Sequence, residues 1–289
     1  MELKRLLNIK YIIIVCAALV LNIILFMFQA TAGGNKINED SKRDLRIRTE
    51  YIENYKSNIQ NIVDRAEKLK KQRLFSNPES FSYKNIIKTG KDYEKLININ
   101  LSADNSKAVR AISKYSMFIG ISAILTLLLM NNLFKERDNN MWQLTYMSKN
   151  GRAYLGLVRI ADIFIISLIQ HFLLYITVTF TSFILFGGLG DLYNPIQNIS
   201  EFGQCTLVIN KAEYLIADFL LTYLSVVVAT SIIYMLMNVF RNRKNVFIGT
   251  GVFVIIEYPL YIFPPIFNPC KKLIIDILFN IFSHSFSFN

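Results

Sequence analysis

Long uninterrupted apolar runs constrain this chain more than any other feature. "YIIIVCAALVLNIILFMFQATAGG", "YSMFIGISAILTLLLMNNLF" and the stretches 157–186, 213–239 and 245–263 are dominated by Ile, Leu, Phe and Val. A bilayer core needs about 20 apolar residues per helical span. A backbone in hydrocarbon must also satisfy its own N–H and C=O groups, so such runs become helices. The chain therefore reads as an all-α, polytopic helical membrane protein. Composition agrees, with 53% hydrophobic residues and a mean hydropathy of +0.33 over 289 residues.

Five spans follow, at 11–31, 115–134, 157–186, 213–239 and 245–263. The first has the basic start and Ala30-Thr31-Ala32 ending of a signal peptide. Its apolar run exceeds the roughly 7–15 residues of a signal core, so it is read as an uncleaved span. Segment 264–289 holds an apolar stretch too short for a span, which predicts a terminal interfacial or re-entrant helix.

The net charge is +11, with the basic residues spread over several loops rather than gathered in a nucleic-acid-binding pattern. Orientation and lipid headgroups account for such loop charge, so no nucleic-acid partner is expected. The short basic segments 1–10, 135–156 (continuing to Arg159) and 240–244 all fall on one side of a five-span topology. By the positive-inside rule that side is the cytoplasm, with the N-terminus inside.

Residues 32–114 then form a small, mostly helical extracytoplasmic domain, with 18 Lys and Arg against 11 Asp and Glu. A loop this long crosses regardless of charge. Ile52, Ile59, Ile62, Val63, Ala66 and Leu69 recur near helical spacing and predict an amphipathic helix. "SNPESFSYKNIIKTGKDYEKL" reads as loop and turn, with Pro78 and Gly90 as breakers. From Lys107 a helix is expected to run straight into the second span. The outer loop 187–212 carries Cys205, for which Cys270 is a disulfide candidate; Cys16, inside the first span, reads as a small apolar filler.

No P-loop, HExxH or GxSxG pattern occurs, and two histidines with no CxxC give no metal site. The chain is expected to have no catalytic chemistry and no cofactor of its own. Attention falls instead on "LFKERDNNMWQLTYMSKNGRAYLGLVRI", residues 133–160, which holds the only tryptophan. A helix over 139–148 would present Met141, Trp142, Leu144, Tyr146 and Met147 within two or three turns. Aromatic and Met side chains are typical interface anchors. The plainer reading of Trp142 is a headgroup-belt aromatic.

Glu136, Leu144 and Asn150-Gly151-Arg152 in this stretch resemble the coupling segment of type 2 ATP-binding-cassette (ABC) transporter permeases. That pattern is roughly E-x-x-x-G-x-x-x-L followed by N-G-R. Asn140 stands at the glycine position, a departure that keeps a residue tolerant of left-handed backbone. The resemblance implies a permease subunit, exporter-like, in a bacterial plasma membrane. It implies a separate soluble ATPase that binds ATP and magnesium and docks at Glu136, Asn140, Met141, Trp142, Leu144, Tyr146, Gly151 and Arg152. It also implies a second permease copy or a companion membrane subunit. Members of that family usually carry six spans per half, so five spans suggest a split permease or the front part of a longer one.

Polar residues inside spans are costly and tend to face protein or water. Asp218, Thr222, Ser225 and Ala229 recur at i, i+4, i+7 and i+11, and Asp162 shares a face with Gln170. These stripes read either as the wall of a path or as a helix interface. His171 lies on the other face and reads as a packed, hydrogen-bonded histidine. An alternative function is a membrane sensor or immunity protein whose outside domain binds a ligand. A mechanotransmission permease is a further alternative, although that architecture commonly has four spans.

Overall fold

The computed structural model describes residues 9–32, 41–72, 77–102, 104–115, 117–138, 151–203, 205–240 and 244–251. Seven α-helices are named here: α1 (Ile9–Ala32), α2 (Ser41–Lys70), α3 (Phe81–Ile97), α4 (Lys107–Ser113), α5 (Phe118–Asp138), α6 (Gly151–Phe186) and α7 (Lys211–Val239). Residues 244–251 are helical as well. Among the described residues there is no strand, only an isolated bridge between Pro195 and Asn210. The all-helical class is thus what the apolar runs dictate.

Three helices are long and apolar enough to cross a membrane: Ile9–Thr31, Gly156–Phe186 and Lys211–Val239. The described apolar part of α5, Gly120–Met130, is shorter. Residues 244–251 begin the expected fifth span, and the rest of that span, with Cys270 and segment 264–289, lies outside the described residues. The long helices expose Ile, Leu and Phe side chains, among them Ile13, Phe28, Leu157, Phe180 and Ile216. Apolar exposure on that scale suits hydrocarbon rather than water.

The chain divides into two compact units. The first takes Met1–Ala30, Ile112–Thr181 and Asp218–His284. Its apolar core joins Tyr11, Ala123, Leu129, Met130, Ile163, Ile166, Ile233, Met237 and Val246. The second takes Thr31–Ala111, Ser182–Ala217 and Ser285–Asn289. It contains the antiparallel-type hairpin of α2 and α3, closed by Tyr55, Ile59, Leu96 and Ile99. A second cluster in that unit gathers Val109, Ile196, Ile199, Phe202, Cys205 and Tyr214. Cys205 there is a buried free thiol, and Cys16 on α1 is exposed rather than filling a core.

Two local expectations are corrected. The stretch after Pro78 is not a loop: α3 starts at Phe81 and continues through Gly90. Ser80, in extended conformation, accepts from the Tyr83 amide at 3.2 Å and caps the helix. Asn77 accepts from Glu79 and Ser80 in the turn that precedes the helix. Gly90 faces Ala66 of α2, where an added Cβ would sit 3.5 Å from the Ala66 Cβ. The space would accept a Cβ, so the roughly 1 kcal/mol helix penalty of glycine is simply carried by a helix whose other residues pack on α2.

The second correction concerns Lys107. The helix from there does not run into the second span; α4 ends at Ser113 and α5 starts at Phe118. The interruption turns Tyr115 into the core, where it packs edge-on to Phe26 and Phe118 at centroid distances of 5.4 and 4.8 Å. Burial of a large aromatic with a satisfied hydroxyl outweighs one turn of continuous helix.

Candidate functional site

The apolar helices of the first unit enclose a set of polar side chains, and this is the strongest chemical feature among the described residues. It starts at Asn22 on α1, which is fully buried. Asn22 Nδ2 donates to the Leu174 carbonyl and to Thr177 Oγ1, both at 3.1 Å. Tyr115 Oη donates in turn to Asn22 Oδ1. One amide side chain therefore ties α1 to α6 and to the turn before α5. Gln29 adds a bond from Nε2 to the Lys114 carbonyl at 2.8 Å.

One turn along α6 lies a second group. His171 Nε2 and Thr222 Oγ1 are 2.9 Å apart. Thr222 Oγ1 lies 2.8 Å from the carbonyl oxygens of both Asp218 and Phe219 in its own helix. Tyr175 Oη donates to Asp218 Oδ2 at 3.0 Å. The helix repeat builds this arrangement: His171 and Tyr175 are four apart on α6, and Asp218 and Thr222 are four apart on α7. All four are buried, Asp218 at 1% exposure and His171 and Thr222 at 0%. Phe219 stacks on the His171 ring at 5.1 Å and 29°, and Phe118 meets it edge-on at 5.7 Å.

The stripe Asp218, Thr222, Ser225 and Ala229 is buried along its whole length. Ser225 satisfies itself on the Leu221 carbonyl at 3.1 Å, so it adds a small packing surface rather than a cross-helix bond. Gln170 is buried, and its amide has no hydrogen-bond partner among the described residues. Asp162 is half-buried on α6. Neither is brought into the His171 group by any hydrogen bond among the described residues.

The second unit holds a separate polar anchor. Lys211, fully buried at the start of α7, forms an ion pair with Asp104. Asp104 Oδ2 also accepts from the Asp191 amide at 2.8 Å and from Asn194 Nδ2 at 3.4 Å. Burial opposes the charge on Asp104, but Lys211 and these hydrogen bonds outweigh it and hold the carboxyl below its ordinary value of 3.8. Gly190 closes the anchor with φ +73, where a Cβ would overlap the Asn105 carbonyl and the Asp104 carboxylate. In the α2–α3 hairpin, burial raises the phenols of Tyr55 and Tyr93, so neither titrates in the physiological range.

Of the expected coupling residues, Glu136 lies in the last turn of α5 and Gly151 and Arg152 in the first turn of α6. Asn140, Met141, Trp142, Leu144 and Tyr146 lie outside the described residues. Sequence reasoning passed over Asn22, Tyr115, Tyr175, Asp104 and Lys211. Asn22 carried a signal, as an amide in the middle of a greasy run. The others depend on pairings distant in sequence. No group of His, Cys, Asp and Glu able to hold a metal occurs among the described residues. No family model matches the chain, and neither a curated protein nor a solved structure does.

Proposed function

We propose that this chain is the transmembrane permease subunit of an ABC-type exporter in a bacterial plasma membrane. It hydrolyses nothing itself; a soluble ATPase, loaded with ATP and magnesium, grips residues 136–152 on the cytoplasmic side. A second permease copy or a companion subunit completes the path. The observation that carries this reading is the continuity of α6. It starts at Gly151, at the end of the Trp142-bearing segment, and runs 36 residues without a break. A push on its first turn is passed along a rigid rod to Gln170, His171 and Tyr175, and through their partners to α7 and α1. A catalyst needs a site open to substrate, whereas the polar groups here join helix to helix.

The test is purification of the tagged chain with its companion ATPase, identified by its Walker motifs, in lipid nanodiscs. The expected result is stable association and stimulated ATP hydrolysis, both weakened at least tenfold by Trp142→Ala and Glu136→Ala, the loss that about 1.4 kcal/mol brings. Undiminished association and stimulation in both variants refutes the coupling role. The sensor or immunity reading is favoured by one observation: the α2–α3 hairpin has its own apolar core, built from Tyr55, Ile59, Leu96 and Ile99. Ligand binding by that hairpin with no ATPase recruited would select it.

A further inference from the structure

We propose that His171, with Thr222, Asp218 and Tyr175, forms a proton-binding site buried among the membrane helices, and that the proton is taken up at His171 Nδ1. The argument begins with the threonine. As is usual for threonine inside a helix, its single hydroxyl proton is assigned to a backbone carbonyl of its own helix, Asp218 or Phe219, each 2.8 Å away. Thr222 Oγ1 can then only accept from His171 Nε2 at 2.9 Å. Neutral His171 is thereby held as the Nε2–H tautomer. A further proton adds to the lone pair on Nδ1, giving imidazolium with no bond broken and no co-reactant beyond the proton.

The surroundings suit that cation. The Phe219 face is stacked on the imidazole at 5.1 Å, and the Tyr223 ring lies at 6.1 Å and 34°. Aromatic faces attract a cation through their negative quadrupole. One turn before Thr222 on α7, Asp218 carries a carboxyl that accepts from Tyr175 Oη at 3.0 Å. Among the described residues, the titratable groups packed on the His171 ring are Tyr175 from α6 itself and Tyr223 from α7, with Asp218 of α7 joined to them through Tyr175. Tyr115, which packs on Phe118, is the titratable group behind the α5 side. The rings are in van der Waals packing, at 5.1 to 6.1 Å, so the ligand that fits this cluster is a proton rather than a molecule.

The consequence is that the α6–α7 contact changes its charge when one proton is gained or lost. An ionisable cluster at such depth is a functional feature by default in a membrane helix. The inference is independent of the ATPase reading, since it concerns the chain alone.

The test uses the full-length chain in lipid bilayers with nitrogen-15 in histidine. The chain has two histidines, so His284→Gln leaves a single reporter. The expected result is an Nε2–H tautomer at alkaline pH that converts to imidazolium with one midpoint as pH falls. Asp218→Asn weakens proton binding about tenfold or more, the effect of removing a neighbouring opposite charge. Tyr175→Phe keeps the ring packing and removes only the bond to Asp218; it displaces the midpoint by a smaller amount. A histidine that stays in one neutral tautomer from about pH 8 to about pH 4, across the ordinary histidine range, overturns the proposal. So does a midpoint unmoved in every folded variant, with Tyr175→Phe as the deciding one if Asp218→Asn does not fold.

Discussion

Removal of the Asp104 charge is the sharpest perturbation of the second unit. Lys211 is fully buried and Asp104 is only 15% exposed. Asp104→Asn leaves the ammonium in place without its counter-charge. Breaking a buried pair from one side costs about 3–5 kcal/mol. Cys205 reports the loss, because it is a buried thiol in the same unit. In a background with Cys16→Ser and Cys270→Ser, a pyridyl disulfide labels Cys205 only when the unit opens. At about tenfold per 1.4 kcal/mol, labelling accelerates between about 10² and about 4 × 10³-fold. The pH dependence has a definite sign. The folded carboxyl lies below its ordinary value of 3.8, so its contribution is complete above that value and disappears as pH falls through the folded one. Labelling of the parent and of Asp104→Asn therefore converges in acid and separates at neutral pH. Lys211→Met added to Asp104→Asn restores most of the protection, since no buried charge is left unpaired. Labelling unchanged within about twofold in Asp104→Asn, less than 1 kcal/mol by the same conversion, would refute the reasoning.

Three more changes test other parts of the fold. Gly90→Ala raises stability by about 0.5–1 kcal/mol, because the new Cβ meets Ala66 at ordinary contact distance while the helix loses a glycine; a higher midpoint in thermal unfolding checks it. Gly190→Ala has the opposite sign, with left-handed backbone and an overlap with the Asn105 carbonyl. It costs about 2 kcal/mol or more and accelerates Cys205 labelling. Asn22→Leu removes two donated bonds and leaves the Tyr115 hydroxyl only the long 3.4 Å contact to the residue-22 carbonyl, a loss of about 2–3 kcal/mol. Faster proteolytic release of the first helix from the detergent-solubilised chain would register it.

Periodicity and long-range pairing differ in how far a sequence exposes them. The apolar runs reveal α1, α6 and α7 because hydrocarbon leaves the backbone no alternative to helix. The i, i+4, i+7 rule puts Asp218, Thr222 and Ser225 on one face, and all three are buried. What the face meets is not a local property. His171 is set apart from the Asp162–Gln170 face of its own helix by the same rule, yet its partner Thr222 is 51 residues away. Tyr175 shows no polar signal in "QHFLLYITVTF" until Asp218 stands opposite. Gly90 misleads for a related reason. Its glycine penalty is read locally, whereas the helix is held by Leu96 against Tyr55 and Ile59 of another helix. Tyr115 likewise reads as the first residue of a span, but its hydroxyl has an acceptor at Asn22.

The same reasoning ties the first helix to the rest of its unit. A signal anchor that only tethered the chain would need no polar residue in its apolar run, since an unpaired amide in hydrocarbon costs several kcal/mol. Asn22 spends both of its amide ends on α6 and on the turn before α5. The Leu174 carbonyl that it reaches lies between His171 and Tyr175, and Tyr115 packs on Phe118, which stacks with Tyr175 at 5.5 Å. The amide of α1 and the imidazole of α6 therefore share one wall of aromatic rings. A movement of α6 that altered the His171 group would also load the Asn22 bonds, so the first helix is braced on α6 by hydrogen bonds and is not joined to it by apolar contact alone. Asn22→Leu, by cutting those bonds while leaving His171, Thr222, Asp218 and Tyr175 in place, is expected to broaden the His171 resonance into exchanging environments. A single sharp resonance identical to the parent's would show that the two groups are mechanically separate.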